Sequence, residues 1–260
     1  MVGNLFVCLL LAHVLSDFFL QIPKMLVSKQ KHGIKGYALY IHSAIVALLS
    51  WLFVWHYAFW AMALIIFVSH AFVDWIKIKF KQYRPWAFIV DQLIHIGILL
   101  VISIWFCQKN GWGTIFYEFD FINWRVILAA VIVLSLTLPA NFLIQEMLWY
   151  QDNDNLWRHS ADSMPIFTKE RETYAKDDSV PRLKHAGAWI GCLERLLTFL
   201  FVLLGNYQAV GFIIAAKSIL RFKESDGVRS EYVLVGTLLS VSMAIAAALI
   251  VVKVLWRKGA

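Results

Sequence analysis

The sequence predicts an all-α fold, a polytopic transmembrane helix bundle of about 7–8 membrane helices. Of its residues, 60% are hydrophobic and 16% are charged, whereas a soluble domain is about half apolar and about a quarter charged. Several windows of roughly twenty residues are nearly free of charge, which is the length needed to cross a bilayer core. The net charge of +7 comes from Lys and Arg between those windows, which indicates loops facing anionic lipid and no nucleic-acid partner.

Each apolar window predicts one helix. The first window has no basic segment before it and no small-residue cleavage site ahead of Pro23, so it is predicted to be a retained helix and not a signal peptide. The seventh is short for a span and could be re-entrant. The predicted helices occupy residues 2–22, 37–56, 58–77, 87–106, 125–148, 187–204, 209–222 and 232–253.

The distribution of basic residues predicts the orientation. The connectors 23–36 and 78–86 are rich in Lys and Arg, whereas the turn at 56–58 carries neither. By the positive-inside rule both basic connectors are cytoplasmic and the N-terminus lies outside. The chain then divides into a four-helix His/Asp membrane module (1–106), a periplasmic loop with the fifth helix (107–148), a polar cytoplasmic loop (149–186) and C-terminal membrane helices (187–260).

Three His–Asp pairs occur at a spacing of four residues inside the membrane windows. They are His13 with Asp17, His70 with Asp74, and Asp91 with His95. On a helix this spacing stacks both side chains on one face. Random placement of 8 His among 260 residues would give fewer than one such pair, and ionisable residues are depleted within membranes.

The alternating direction of successive helices predicts that these pairs and His42 share one depth. Imidazole with carboxylate is the ligand set of zinc, and it also suits manganese or iron. The alternative is a set of inert interhelical hydrogen bonds, but burying so many ionisable groups without a cation costs several kcal/mol. The sequence therefore predicts one or two divalent ions, zinc first, held by His13, Asp17, His42, His70, Asp74, Asp91 and His95.

A second group of charged residues lies in the C-terminal half. Glu194 and Arg195 fall inside one apolar window and Lys217 inside the next. Near a metal, Glu194 could act as general base while Arg195 and Lys217 stabilise developing negative charge. A structural ion pair is the alternative interpretation.

The motifs HVLSDFFLQ, SHAFVDWIK and DQLIH, followed by GCLERLL and AAKSILRF, carry a resemblance that covers nearly the whole chain. The sequence resembles an uncharacterised bacterial family of multi-pass membrane proteins that is known only as a domain of unknown function. That resemblance implies a bacterial inner-membrane protein and no particular activity. In residue types alone, the His/Asp pairs are similar to those of bacterial membrane-bound metal-dependent hydrolases.

Three functions are compatible with these features. The first is a membrane-embedded metal-dependent hydrolase acting on a lipid or another membrane-borne anionic substrate. The second is a divalent-cation transporter, because HxxxD pairs on two helices resemble the zinc site of cation-diffusion facilitators. The third is a non-catalytic scaffold with a structural metal site. The cations among the C-terminal helices favour the first over the second, since they would form a barrier in a cation path.

Overall fold

The computed structural model describes residues 2–80, 86–110, 123–149, 186–222 and 227–256, and these residues form helices and no strand. The predicted all-α class is therefore confirmed. The chain divides into two compact units, residues 1–131 and 132–260. Nearly all of the polar segment 149–186 lies outside the described residues.

Four long helices form the first unit. Each packs on two others, since α1 and α4 both contact α3 and α5. The amphipathic helix α2 lies against α3. The helices are α1 (Val2–Val14), continued by a π-helical turn (Leu15–Leu20), α2 (Pro23–His32), α3 (Tyr37–Val54), α4 (Trp60–Lys79) and α5 (Trp86–Asn110).

The apolar core of this unit occupies one end of the helix bundle. Leu5 and Leu9 of α1 precede His13, whereas Leu99 and Phe106 of α5 follow His95 in the chain. The outer faces of these helices carry exposed large apolar side chains such as Val68. Such an outward apolar surface suits lipid, and it leaves the other end of the bundle to the polar side chains.

The connector 23–36, predicted as a basic loop, is mostly helical. Pro23 occupies the first helical position of α2, where its missing N–H costs nothing. Gly33 ends the helix with φ +55°, a conformation that glycine adopts without strain. Lys29 is the one residue of α2 that is buried. The segment predicted as a loop is therefore a helix that carries the buried side chain of Lys29.

Helix α6 (Trp124–Ser135) begins in the first unit and ends in the second. The second unit also contains α7 (Leu138–Trp149), α8 (Ala186–Leu203), α9 (Tyr207–Phe222) and α10 (Gly227–Trp256). The predicted single helix 125–148 is wrong, because α6 and α7 meet at a 44° bend. Pro139 has no N–H to donate and its ring clashes with the preceding turn, which accounts for the break. Helix α10 packs on α7 and α8.

Five of the described helices are long and apolar enough to cross a membrane, or six if the bent pair α6–α7 is one span. Four of the five are the long helices of the first unit, and the fifth is the segment Leu234–Val254. Helix α9 has 16 residues, two more than the predicted segment 209–222, and it is still short for a span. The protein is a membrane protein with several transmembrane helices.

Candidate metal centre

The structure brings together all seven predicted ligand side chains. None of them is more than 8% exposed. We call this set the His/Asp centre. Its members come from all four long helices of the first unit: His13, Asp17, His42, His70, Asp74, Asp91 and His95.

A π-helical turn positions Asp17. The wider turn begins at Leu15, directly after α1, so Asp17 does not follow the regular α-helical path from His13. The hydroxyl of Ser16 donates to the carbonyls of Ala12 at 2.8 Å and His13 at 3.0 Å. These hydrogen bonds satisfy carbonyl groups at the point where the helical geometry changes.

Four atoms surround a common point in the centre, and we call Asp17, His42, His70 and Asp74 the first ligand group. Oδ1 of Asp17 lies 3.3 Å from Nε2 of His42 and 3.5 Å from Nε2 of His70. The two Nε2 atoms lie 3.1 Å apart. Oδ2 of Asp74 lies 3.9 Å from His42 Nε2 and 3.8 Å from His70 Nε2.

These five separations range from 3.1 to 3.9 Å, which brackets the edges of a coordination tetrahedron. Zinc–ligand bonds of about 2.0–2.2 Å place tetrahedral ligand atoms roughly 3.3–3.6 Å apart. Among the described residues, Oδ1 of Asp17 has no hydrogen-bond partner although it is buried. An acceptor surrounded by three imidazoles without a hydrogen bond is an unsatisfied group that a cation would satisfy. The first ligand group therefore fits one tetrahedral divalent cation.

Asp74, Asp91 and His95 form a second ligand group. Nε2 of His95 lies 3.8 Å from Oδ1 of Asp74 and 3.4 Å from Oδ1 of Asp91. Asp74 thus offers Oδ2 to the first group and Oδ1 to the second. The imidazoles of His70 and His95 stack with centroids 4.2 Å apart, so the two groups are adjacent. His13 lies beside both, with Nδ1 3.7 Å from Asp17 Oδ1 and its ring centroid 5.2 Å from that of His95.

Two lysines neutralise carboxylates of the centre. Nζ of Lys29 donates to Oδ2 of Asp74 at 2.5 Å. Nζ of Lys77 donates to Oδ2 of Asp91 at 2.6 Å, and Gln92 donates to the same oxygen at 3.1 Å. With its side-chain amide flipped, Gln21 accepts a hydrogen bond from Nζ of Lys29 at 2.6 Å and donates one to the backbone carbonyl of Asp17 at 3.3 Å. Each carboxylate oxygen has a second lone pair, so these contacts leave room for a cation.

Sequence reasoning did not assign these lysines and glutamines to the site. Lys29 lies in a segment whose composition is that of a basic connector, and only its packing shows that it points inward. Lys77 offered a local signal, because it follows Asp74 by three residues on the same helix and therefore lies on nearly the same face. Gln92 adjoins Asp91 in the DQLIH motif.

The second unit contains the three predicted catalytic residues, Glu194, Arg195 and Lys217. Lys217 donates to the carboxylate of Glu194. The Arg195 guanidinium is 2% exposed and donates to the carbonyl of Leu136 at 2.6 Å, to the carbonyl of Thr137 at 3.3 Å and to the side chain of Asn141. It also donates to the hydroxyl of Ser240 at 3.2 Å. Arg195 thus donates hydrogen bonds to two backbone carbonyls at the break between α6 and α7. The catalytic roles of the three residues stay predictions.

The fold and the site define an all-α membrane protein with a buried centre of histidine, aspartate and lysine side chains. Residues 5–123 match the family model described as a protein of unknown function (DUF3307). The matched residues include every member of the His/Asp centre, and the match confirms the resemblance to an uncharacterised domain family over this part of the chain. The motifs GCLERLL and AAKSILRF lie outside the match, so the resemblance over nearly the whole chain stays a prediction. No curated protein matches the chain. No solved structure matches it either.

Proposed function

We propose that the protein is a membrane-embedded metal-dependent enzyme, a hydrolase acting on a lipid or another membrane-borne anionic substrate. The observation that carries the proposal is the convergence of two imidazole nitrogens and two carboxylate oxygens at distances of 3.1–3.9 Å. A divalent cation at this point, zinc first and manganese or iron as alternatives, would activate a water molecule, bound as a fifth ligand beside the four protein atoms, for attack at neutral pH.

Charge supports an anionic substrate. Lys29 and Lys77 place ammonium groups in contact with two of the carboxylates of the centre. With the histidines neutral, a divalent cation makes the centre net positive, and an anion restores the balance. His13 is not a member of the first ligand group, so its imidazole can accept a proton from the reacting water.

The setting is proposed from the same features. The protein lies in the bacterial inner membrane with its N-terminus outside, as the basic connectors and the family resemblance indicate. The His/Asp centre then lies in the cytoplasmic half of the bilayer. Helix α2 lies at that interface with Lys24, Lys31 and His32 exposed. A substrate would reach the centre from the cytoplasmic leaflet.

Replacing His70 or His42 with alanine is expected to remove the metal ion of the first ligand group, because each supplies one of its four ligand atoms. Metal is measured by mass spectrometry on detergent-purified full-length protein. Hydrolysis is measured by ³¹P NMR and lipid mass spectrometry on vesicles of total bacterial polar lipid. His32→Ala, an exposed histidine of the same unit, is the matched control. A folded wild-type protein that stays metal-free after loading with zinc, manganese or iron would contradict the proposal.

A zinc transporter is the second candidate, because two histidines and two aspartates around one point also suit a transport site. The lysines in contact with the carboxylates oppose this function, since a fixed ammonium group raises the energy of a passing cation. Metal-dependent flux in proteoliposomes, lost in Asp74→Ala and accompanied by no lipid turnover, would favour the transporter.

Replacing Lys29 with methionine is expected to raise zinc affinity about tenfold or more. Its ammonium competes for Asp74, and its repulsion of a divalent ion roughly 4 Å away is about 8 kcal/mol, before solvation offsets it, at an effective dielectric constant of about 20. Competition with a fluorescent zinc chelator measures the change. Lys31→Met, an exposed lysine on the same helix, should leave the affinity unchanged. An unaltered affinity in Lys29→Met would mean that no cation binds beside Asp74.

A further inference from the structure

We propose that Asp74, Asp91 and His95 hold a second divalent cation, bridged to the first by the Asp74 carboxylate, and that its open position takes a phosphoryl oxygen of the substrate. This inference rests on the proposed function and deepens it. The first ligand group offers four protein atoms, so a water on its cation would be a fifth ligand. The second ligand group offers three protein atoms, so a tetrahedral cation there would keep one position free for the substrate.

Two unsatisfied buried atoms carry the assignment of this second site. Within the described part of the chain, Nε2 of His95 and Oδ1 of Asp91 each lack a hydrogen-bond partner. Both residues are 3% exposed, and the two atoms face each other at 3.4 Å. Leaving a buried polar atom unpaired costs about 1–3 kcal/mol. A cation between the two atoms and Oδ1 of Asp74 removes that cost for both.

The bridge follows from the way Asp74 presents its two oxygens. Oδ2 is the atom nearest His42 and His70, whereas Oδ1 is the atom nearest His95. A carboxylate that offers one oxygen to each of two cations holds them about 3.5–4 Å apart, as in two-metal phosphatases and nucleases. Nε2 of His70 lies 3.8 Å from Oδ2 and Nε2 of His95 lies 3.8 Å from Oδ1, so each oxygen of Asp74 has a different imidazole nitrogen beside it.

The net charge of the His/Asp centre indicates which ligand the open position of the second cation would bind. The centre contains three carboxylates, and Lys29 and Lys77 already neutralise part of their charge. Two divalent cations leave a large positive excess in a medium of low dielectric constant, so the centre attracts a multiply charged anion. A phosphoryl group matches, because paired cations at this separation contact its attacking and leaving oxygens together. A carboxylic ester lacks that charge.

The test is manganese stoichiometry and electron paramagnetic resonance on the detergent-purified full-length protein. Wild type should bind two Mn²⁺ with an exchange-coupled spectrum, and His95→Ala should bind one Mn²⁺ with an uncoupled spectrum. His32→Ala should behave as wild type. Inorganic phosphate should alter the coupled spectrum of wild type and leave that of His95→Ala unchanged.

The outcomes separate this inference from the function on which it rests. A wild type that binds one Mn²⁺ without coupling overturns the second site and leaves the first metal standing. A coupled pair that does not respond to phosphate overturns the phosphoryl assignment. A folded wild type that binds no Mn²⁺, zinc or iron overturns the proposed function, and this inference fails with it.

Discussion

Replacing Asp74 with alanine is expected to lower the free energy of unfolding of the metal-free protein by about 3–5 kcal/mol, because it leaves a buried cation without its partner. The partner is Lys29, whose Nζ lies 2.5 Å from Oδ2 of Asp74. Its side chain is 4% exposed, so water cannot replace the lost carboxylate. Titration with a denaturing detergent in the presence of a chelator, followed by tryptophan fluorescence, measures the change.

The double variant Asp74→Ala/Lys29→Met is the decisive control for this result. Removing both charges should restore at least half of the lost stability, since an ion pair replaced by apolar groups is often close to neutral. Adding Lys31→Met to Asp74→Ala should restore nothing, because Lys31 is exposed. A double variant no more stable than Asp74→Ala would show that the ammonium group is not held by Asp74.

Replacing Arg195 with alanine is expected to lower the free energy of unfolding by about 3 kcal/mol or more, since it removes several charge-assisted hydrogen bonds and leaves their acceptors unpaired. The guanidinium donates to the carbonyls of Leu136 and Thr137, and to the side chains of Asn141 and Ser240. The same detergent titration measures the loss.

Two further variants separate the role of Arg195 in the helix break from the predicted catalytic role. Arg195→Lys should recover only part of the stability, because one ammonium group cannot reproduce the planar fork of donors. Ser240→Ala should cost about 1 kcal/mol, the value of a single hydrogen bond. If Arg195→Ala unfolds as wild type does but loses lipid hydrolysis, the guanidinium acts in catalysis and not in the helix break.

The composition and the periodic His–Asp spacing were enough to predict the fold class and the members of the His/Asp centre. Both signals are local, because hydrophobic length determines which segments can span, and a spacing of four residues determines which side chains share a face. The alternation of helix direction then placed His42 in the same layer as the pairs. Its contact with His70, with Nε2 atoms 3.1 Å apart, arises only through tertiary packing.

The features that the sequence left undetermined depend on contacts between distant residues. Lys29 looks like any lysine of a basic connector, and its burial follows only from the packing of α2 on α3. The π-helical turn at Leu15–Leu20 has no sequence signature comparable to a cap or a proline. Pro139, in contrast, is a helix-breaking residue visible in the sequence, and the predicted single helix 125–148 took no account of it.

The order of the helices along the chain has a consequence for biosynthesis. Asp17 leaves the ribosome on the first helix, before any of its imidazole neighbours on α3 and α4 exists. His95 and Asp91 arrive only with α5. Each incomplete intermediate therefore carries ionisable groups into the bilayer without their final partners, at a cost of about 2.5–3.5 kcal/mol for a central aspartate. Insertion of α3 and α4 supplies imidazole partners for Asp17, and insertion of α5 completes the centre with Asp91 and His95.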